Sequence, residues 1–321
     1  MAVSEVASVD LVYTWVDDKV PGYAELLGRY ASSGHDRNPN RTRDNLDLLR
    51  YSLRSVSRYA PWIRNIVLFS MRPQVPSWLN TQHPRLRVIH HDQVMDQAHL
   101  PTFNSFAICS YLSQLPGLSK PFLFMEDDML FRGPTSPADF LSADGRIKVL
   151  TRRAGTWRPK KMHADISPWN GAKIQADGLL NARFSPEKSP RIVGHVPIMI
   201  DPDLWQEMLD EWPAETAALR SSRFRSAGNF PPEYLYPYYA FYREKAVAAA
   251  AWKKWHRYYY FPLENWRLHA FLNTRMVDFL GPSYLTLNDN FGAHPHPGVV
   301  AHIQNALERW YPEPSPFEIA L

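Results

Sequence analysis

Apolar runs that break off abruptly into acidic or amide residues recur along this 321-residue chain. Val9 to Val16 reads as a buried strand ending at Asp17-Asp18. Phe122 to Met125 repeats the pattern and stops at Glu126-Asp127-Asp128, and Phe279 to Asn290 again passes from apolar to polar, through Tyr284-Leu285-Thr286-Leu287 into Asn288-Asp289-Asn290. Between them, Ile63 to Ser70 and Leu86 to His90 are two further short apolar strands. Leu46, Leu49, Leu53 and Val56 fall at helical spacing, which predicts a helix over Asp44 to Tyr59, capped by Asp44 or Asn45 and ended by Pro61. A second helix is expected over Ala107 to Leu115, stopped by Pro116-Gly117. The order strand, helix, strand, strand, helix, strand across the first 130 or so residues argues an α/β fold with a largely parallel sheet flanked by helices.

The second half is patterned less sharply. Residues 150 to 190 are rich in Pro, Gly, Arg and Lys and read as an insertion of loops and short helices, a candidate lid. Val193 to Ile200 is expected to return as a strand. Pro202 to Trp212 and Pro232 to Trp255 look helical, the latter through the Ala-rich stretch Ala246 to Ala251. No internal repeat or low-complexity linker marks a domain boundary.

Composition narrows the class. Hydrophobic residues make up 45% of the chain, so it has enough apolar surface for a substantial core. No apolar run approaches the roughly 20 residues that span a bilayer, and Met1 to Ser8 carries no secretory pattern. The single cysteine, Cys109, rules out an internal disulfide framework and a cysteine-rich zinc site. These features together suggest a cytoplasmic protein. A net charge of +4 favours anionic ligands and is compatible with peripheral contact at an anionic membrane face. Its short basic clusters, Arg152-Arg153 and Lys160-Lys161, lie in no nucleic-acid-binding motif, so no nucleic-acid partner is expected. The aromatic residues between Tyr234 and Trp266 suit either a core or a sugar-stacking surface.

The acidic strand end carries the chemistry. A strand ending at Met125 delivers Glu126, Asp127 and Asp128 to the carboxyl edge of the sheet, where ligands of open α/β folds bind. Clustered oxygen donors there suit a hard divalent cation that neutralises a pyrophosphate. A solvated acidic turn is the alternative, and Asn288-Asp289-Asn290 taken alone is an ordinary turn sequence.

Four blocks of the sequence resemble the Stealth family of sugar-phosphate transferases. They are Asp10-Leu-Val-Tyr-Thr-Trp-Val-Asp17; the region from Arg43-Asp-Asn-Leu-Asp-Leu-Leu-Arg-Tyr-Ser-Leu-Arg-Ser55 through Tyr59-Ala-Pro-Trp-Ile-Arg-Asn65, Val75-Pro-Ser-Trp-Leu-Asn80 and Leu100-Pro-Thr-Phe-Asn-Ser105 to the acidic strand end; His195-Val-Pro-Ile-Met-Ile-Asp201; and Leu287-Asn-Asp-Asn290. The resemblance implies a glycosyltransferase-A-like α/β fold in a single catalytic domain. Its parts would be a donor-binding half (1–145), an insertion (146–192) and a second half that completes the site (193–321). It also implies transfer of a sugar 1-phosphate from a nucleotide sugar, expected to be a UDP-sugar, to a glycan or glycolipid hydroxyl, with release of UMP and with Mg²⁺, or Mn²⁺ in its place, as cofactor.

On this reading Asp128 is the first metal ligand and Asp127 its partner, with Asp289 and Asn290 completing the coordination. His195 is the general base, and Arg225 offers a rigid fork of donors to phosphate oxygens. Arg43, Asp44 and Asn45 stand at a helix start suited to phosphate, although Asp44 alone reads as a cap. Asn104 and Ser105 are expected to touch donor sugar or acceptor, and Tyr13, Thr14 and Trp15 to lie near the base. The chain departs from the family in Glu126, where relatives often carry Asn; in Asp17-Asp18, where many carry Asn-Gly; and in Asn229, where an acidic residue is usual. His294 and His296 are read as loop residues rather than metal ligands.

Overall fold

The computed structural model describes residues 8–153, 162–163, 166–184, 191–250 and 257–319. The first half contains β1 (Val9–Thr14), α1 (Tyr23–Tyr30), α2 (Leu48–Tyr59), β2 (Ile63–Ser70), β3 (Leu86–His90), α3 (Ser105–Cys109), β4 (Phe122–Glu126) and β5 (Met129–Phe131). There follow β6 (Ile147–Arg153), α4 (Pro168–Phe184), β7 (Arg191–Val193), β8 (Ile198–Ile200), α5 (Pro202–Glu211), α6 (Pro213–Ser221) and α7 (Pro232–Tyr242). The last elements are β9 (Ala246–Ala250), β10 (Tyr258–Leu263), α8 (Arg267–Leu280), β11 (Tyr284–Asp289) and α9 (Pro297–Trp310).

The central sheet has the order β3-β2-β1-β4-β8. Its first four strands are parallel and β8 is antiparallel to β4. This is the largely parallel α/β sheet expected from the sequence. β1 and β4 are buried almost throughout, as near-continuous apolar strands must be when both faces are covered. Two smaller sheets, β10-β11-β5 and β7-β6-β9, join it. Because β5 leaves β4 after only Asp127 and Asp128 and pairs with β11, the acidic turn sits where two sheets meet.

One buried charge fixes the start of this sheet. Asp10 has no exposed surface, and its carboxylate accepts hydrogen bonds from Arg64 Nε (2.9 Å) and Nη2 (2.6 Å), from both nitrogens of Asn65 and from the Ser119 amide (2.9 Å). Burial opposes ionisation, but the Arg64 and Ser119 bonds outweigh it and leave the Asp10 pKa below its ordinary value. β1, β2 and the segment entering β4 are thereby tied at one point.

Four local expectations are corrected. The first helix begins at Leu48, not Asp44. The Asp44 carboxylate accepts from the amides of Leu46 (3.2 Å) and Leu48 (3.1 Å), which holds 44–47 as a loop, and the N-cap Asp47 takes φ 53°. The helix expected over Ala107 to Leu115 is the five-residue α3 followed by a separate 3₁₀ turn, Leu112–Gln114. Val193 to Ile200 is not one strand but the end of β7 and all of β8, in different sheets, with His195 in the link between them. Ala246 to Ala250 is a strand rather than a helix. It pairs in parallel with β6, and a tertiary ladder of this kind overrides the modest helix preference of alanine. The rest of that expected helix, residues 251–255, and residues 154–161, 164–165 and 185–190 of the proposed lid lie outside the described residues, while α4 makes up 17 residues of the lid.

Candidate functional site

The carboxyl ends of β1, β2 and β4, with the turn after β3, open into a cleft of about 210 Å³. Its walls include Thr14, Trp15, Arg43, Asp44, Asn45, Ser105, Glu126, Asp127, Asp128, Arg225 and Asp289. Ten of the sequence-predicted residues thus gather in one place although they come from six separate stretches of chain.

The acidic end is assembled by backbone pairing. The Asp128 carbonyl accepts from the Leu287 amide (2.9 Å), which brings the end of β11 against the turn. The link before β8 then places His195 above it. The His195 amide donates to Tyr258 Oη (3.2 Å), and its carbonyl accepts from Thr286 Oγ1 (2.6 Å). With the backbone held on both sides, the imidazole Nε2 lies 3.4 Å from Asp128 Oδ2 and 3.8 Å from Glu126 Oε2. Glu126, Asp128 and His195 each offer one ligand atom within 4.8 Å of the others, the one such cluster among the described residues.

The donor set fits a divalent cation. Asp128 Oδ1 is buried without a hydrogen-bond partner among the described residues, an expensive arrangement unless something positive faces it. The two carboxylates suit Mg²⁺ or Mn²⁺. Burial alone would lower the His195 pKa, but the charges of Asp128 and Glu126 outweigh it and raise it to about 9. Asp127 is raised well above the carboxylate range, first by burial and then by the charges of Asp44, Asp128 and Glu126. Glu233, in the first turn of α7, is raised to about 8 by burial and by Glu126. Acids this close and this buried do not all ionise without positive charge beside them.

The remaining predicted residues divide. Arg225 lines the cleft, with Nε 2.9 Å from Ser105 Oγ and its guanidinium 4.6 Å above the Phe106 ring. Ser105 therefore aims Arg225. Asn45 donates to Asp289 Oδ2 (2.7 Å), fixing that carboxylate at the cleft. Arg43 is engaged by Asp18, with Nη2 at 3.0 Å, and the bond raises its pKa. Three residues stand apart. Tyr13 is buried, bonded to Ser52 Oγ at 2.7 Å. Asn104 is buried and donates to the Ser222 carbonyl and Asn229 Oδ1 (both 3.0 Å), so its side chain does not face the cleft. Asn290 is exposed and donates to Asn288. His296 caps α9, its Nδ1 accepting from the Gly298 amide.

Sequence reasoning passed over Glu126 as a member of the cluster, although the acidic run contained it. It also missed Thr286 and Tyr258, which orient His195. No periodicity marks them, because their role exists only once β10 and β11 pair.

The sequence matches the model for Stealth protein conserved region 2 over residues 41–149 and that for conserved region 3 over residues 194–242. The chain belongs to the Stealth family. Those two Stealth regions supply Arg43, Ser105, the acidic turn, His195 and Arg225. Among its relatives are proteins named exopolysaccharide phosphotransferase. One from Streptomyces coelicolor is 32% identical over 97% of this chain and 52% of its own length. Another, CpsY of Mycobacterium tuberculosis, is 29% identical over 98% of this chain and 58% of its own. This Stealth chain spans about half the length of such curated relatives. Among solved structures it is similar to the galactosyltransferase LgtC, with a TM-score of 0.44 at 10% identity, covering 96% of both chains. Among the described residues no helix is long and apolar enough to cross a membrane.

Proposed function

We propose that this chain transfers a sugar 1-phosphate from a nucleotide sugar, a UDP-sugar, to a hydroxyl of an acceptor glycan or glycolipid in exopolysaccharide synthesis. The observation that carries the reading is the meeting of His195 with Glu126 and Asp128, two acids that line a cleft together with Arg225. The names of the relatives support the same reaction class.

In this reaction the acceptor oxygen forms a bond to the phosphorus that bears the sugar. The bond from that phosphorus to the UMP oxygen breaks, and the sugar C–O bond survives. Such a transfer needs a positioned hydroxyl, neutralised phosphates and a path for the proton. The neutral form of His195, which the charges of Glu126 and Asp128 disfavour until they are offset, takes the hydroxyl proton at Nε2, and the adjacent Asp128 carboxylate stabilises the imidazolium that results. Arg225, steadied by Ser105, presents its fork to the phosphate oxygens. Glu126 and Asp128, with Asp289 nearby, would hold Mg²⁺ or Mn²⁺, which supplies charge neutralisation on the phosphates when bound.

The deciding experiment incubates the protein with a panel of UDP-sugars, Mg²⁺ and glycan acceptors and separates UMP from UDP. UMP with a new phosphodiester in the ³¹P spectrum is the expected result. UDP without that signal would make the protein a metal-dependent glycosyltransferase instead.

A further inference from the structure

The insertion's helix α4 (Pro168–Phe184) starts against the loop that carries Arg225. The closest approach is at Gly171, a buried residue near the start of the helix. A Cβ added there would stand 2.5 Å from the Ala227 Cβ and 2.8 Å from the Ala227 Cα. Part of that neighbour is backbone, so a side chain at 171 would have to displace the helix or the loop. Glycine inside a helix is unfavourable in itself, because it gives up the most backbone freedom on folding. The same helix supplies a comparison. Gly178 is exposed, and a Cβ there would meet nothing within 4 Å. Close approach to Ala227 gives Gly171 a physical reason that Gly178 lacks.

A ring contact joins the same two parts of the molecule. Trp169, half-buried, packs its ring on Phe106 with centroids 5.6 Å apart. The Arg225 guanidinium lies 4.6 Å from the centroid of that same Phe106 ring. Phe106 therefore touches both Trp169 and Arg225, next to the Ser105 hydroxyl that accepts from Arg225 Nε. Further along, α4 is anchored to α7. Tyr234 Oη donates to Asp177 (2.9 Å), and Lys173 Nζ stands 4.9 Å from the Tyr234 ring centroid. Holding a long arginine side chain in one geometry gives up much rotamer freedom, which packing on several sides offsets.

We propose that Gly171 and Trp169 are positioning residues for Arg225, and that α4, acting through Ala227 and Phe106, holds the guanidinium fork at the cleft. Neither residue lines the cleft, so each acts through its neighbour. The inference rests on the reading of Arg225 as a ligand of the donor phosphates. It gives the insertion a part in the site beyond covering it.

The test reads the Arg225 Nε–H signal by ¹H–¹⁵N NMR, assigned by its loss in Arg225→Ala, together with calorimetric titration of inorganic pyrophosphate with Mg²⁺. The proteins are the wild type, Arg225→Ala, Gly171→Ala, the double variant Gly171→Ala with Ala227→Gly, Trp169→Leu and Gly178→Ala. In the wild type the Phe106 ring and the Ser105 bond should set the signal apart from those of exposed arginines. Gly171→Ala should move it toward them and weaken pyrophosphate about tenfold, the scale of one hydrogen bond to a charged group. The double variant should recover part of both losses, since it removes the Cβ that the new methyl meets. Trp169→Leu should move the signal in the same direction, and it decides the matter if Gly171→Ala does not fold. Gly178→Ala should keep both readouts of the wild type and raise the unfolding midpoint. A signal unchanged in Gly171→Ala and Trp169→Leu would overturn the proposal and leave the sugar-phosphate reading standing. A signal that moves while pyrophosphate affinity stays constant, in Arg225→Ala as well, would uphold the support of Arg225 and overturn its role on the phosphates.

Discussion

The imidazole Nε2 of His195 stands 3.4 Å from Oδ2 of Asp128, and the two residues reach that distance from opposite ends of a 67-residue loop of chain. Nothing local creates the contact. The acidic turn is delivered by β4, while His195 is suspended between Tyr258 and Thr286 on the neighbouring sheet. The proposed base, with its proton stabilised by an adjacent carboxylate, rests on that meeting.

The first prediction concerns this proton. In metal-free protein the His195 ring should titrate near 9 rather than at the ordinary 6.5. Asp128→Asn and Glu126→Gln each remove a negative charge and should lower that value, as should added Mg²⁺. ¹H–¹⁵N NMR of the imidazole reads it directly, and a ring that titrates near 6.5 in all forms would break the proposed pairing. His195→Ala should lower kcat by about 10²- to 10⁴-fold, the usual worth of a general base.

Metal binding separates the residues the sequence grouped together. Glu126→Gln and Asp128→Asn should each weaken Mn²⁺ binding by at least about tenfold. Asn290→Ala should leave it unchanged, because that amide is exposed and bonded to Asn288. Titration calorimetry on the four proteins distinguishes this arrangement from one in which Asn290 is a ligand. Chelation of the metal should abolish turnover.

Arg225 is predicted to act through its fork rather than its charge alone. Arg225→Lys should therefore fail to rescue, with kcat/KM down by about 10²- to 10³-fold. Ser105→Ala, which frees the guanidinium from its 2.9 Å bond, should cost less than the loss of the arginine itself. Steady-state kinetics on the two variants, alone and combined, measure the coupling.

Asn229 stands where the family usually has an acid. Its Oδ1 accepts from Asn104 Nδ2 (3.0 Å) and the Ser226 amide (3.1 Å), two bonds that a carboxylate makes equally well. Asn229→Asp should keep the fold and stay within a few-fold of wild-type activity. Asn229→Leu should loosen the loop that carries Arg225 and lower both thermal stability and turnover.

Asp10 gives a stability prediction with a defined sign. Its folded pKa lies below the ordinary 3.8, so its contribution is complete above that value and is lost as pH falls through the folded value. Urea unfolding followed from pH 6 to pH 2 should show wild-type stability falling in the acid region, and a shallower fall in Asp10→Asn. At neutral pH Asp10→Ala should cost about 3 kcal/mol, because it leaves the Asn65 and Ser119 donors buried without an acceptor.

The sequence by itself determined the four parallel strands of the central sheet. Val9–Thr14, Ile63–Ser70, Leu86–His90 and Phe122–Glu126 lie where the apolar runs place them, because a strand buried on both faces must be apolar almost throughout. It also determined that acids stand at a strand end, and the family resemblance singled out His195 in a motif block and Arg225 downstream of it. Only the tertiary structure decided which of these residues meet. Glu126 entered the cluster because β5 turns away to pair with β11. Asn104 and Tyr13 left it because their polar groups are taken up by Asn229, Ser222 and Ser52. The Ala246–Ala250 segment became a strand because β6 offered it a ladder. Local pattern reports what a segment can bury. The partner of each polar atom depends on which distant segments pair, and no local pattern records that.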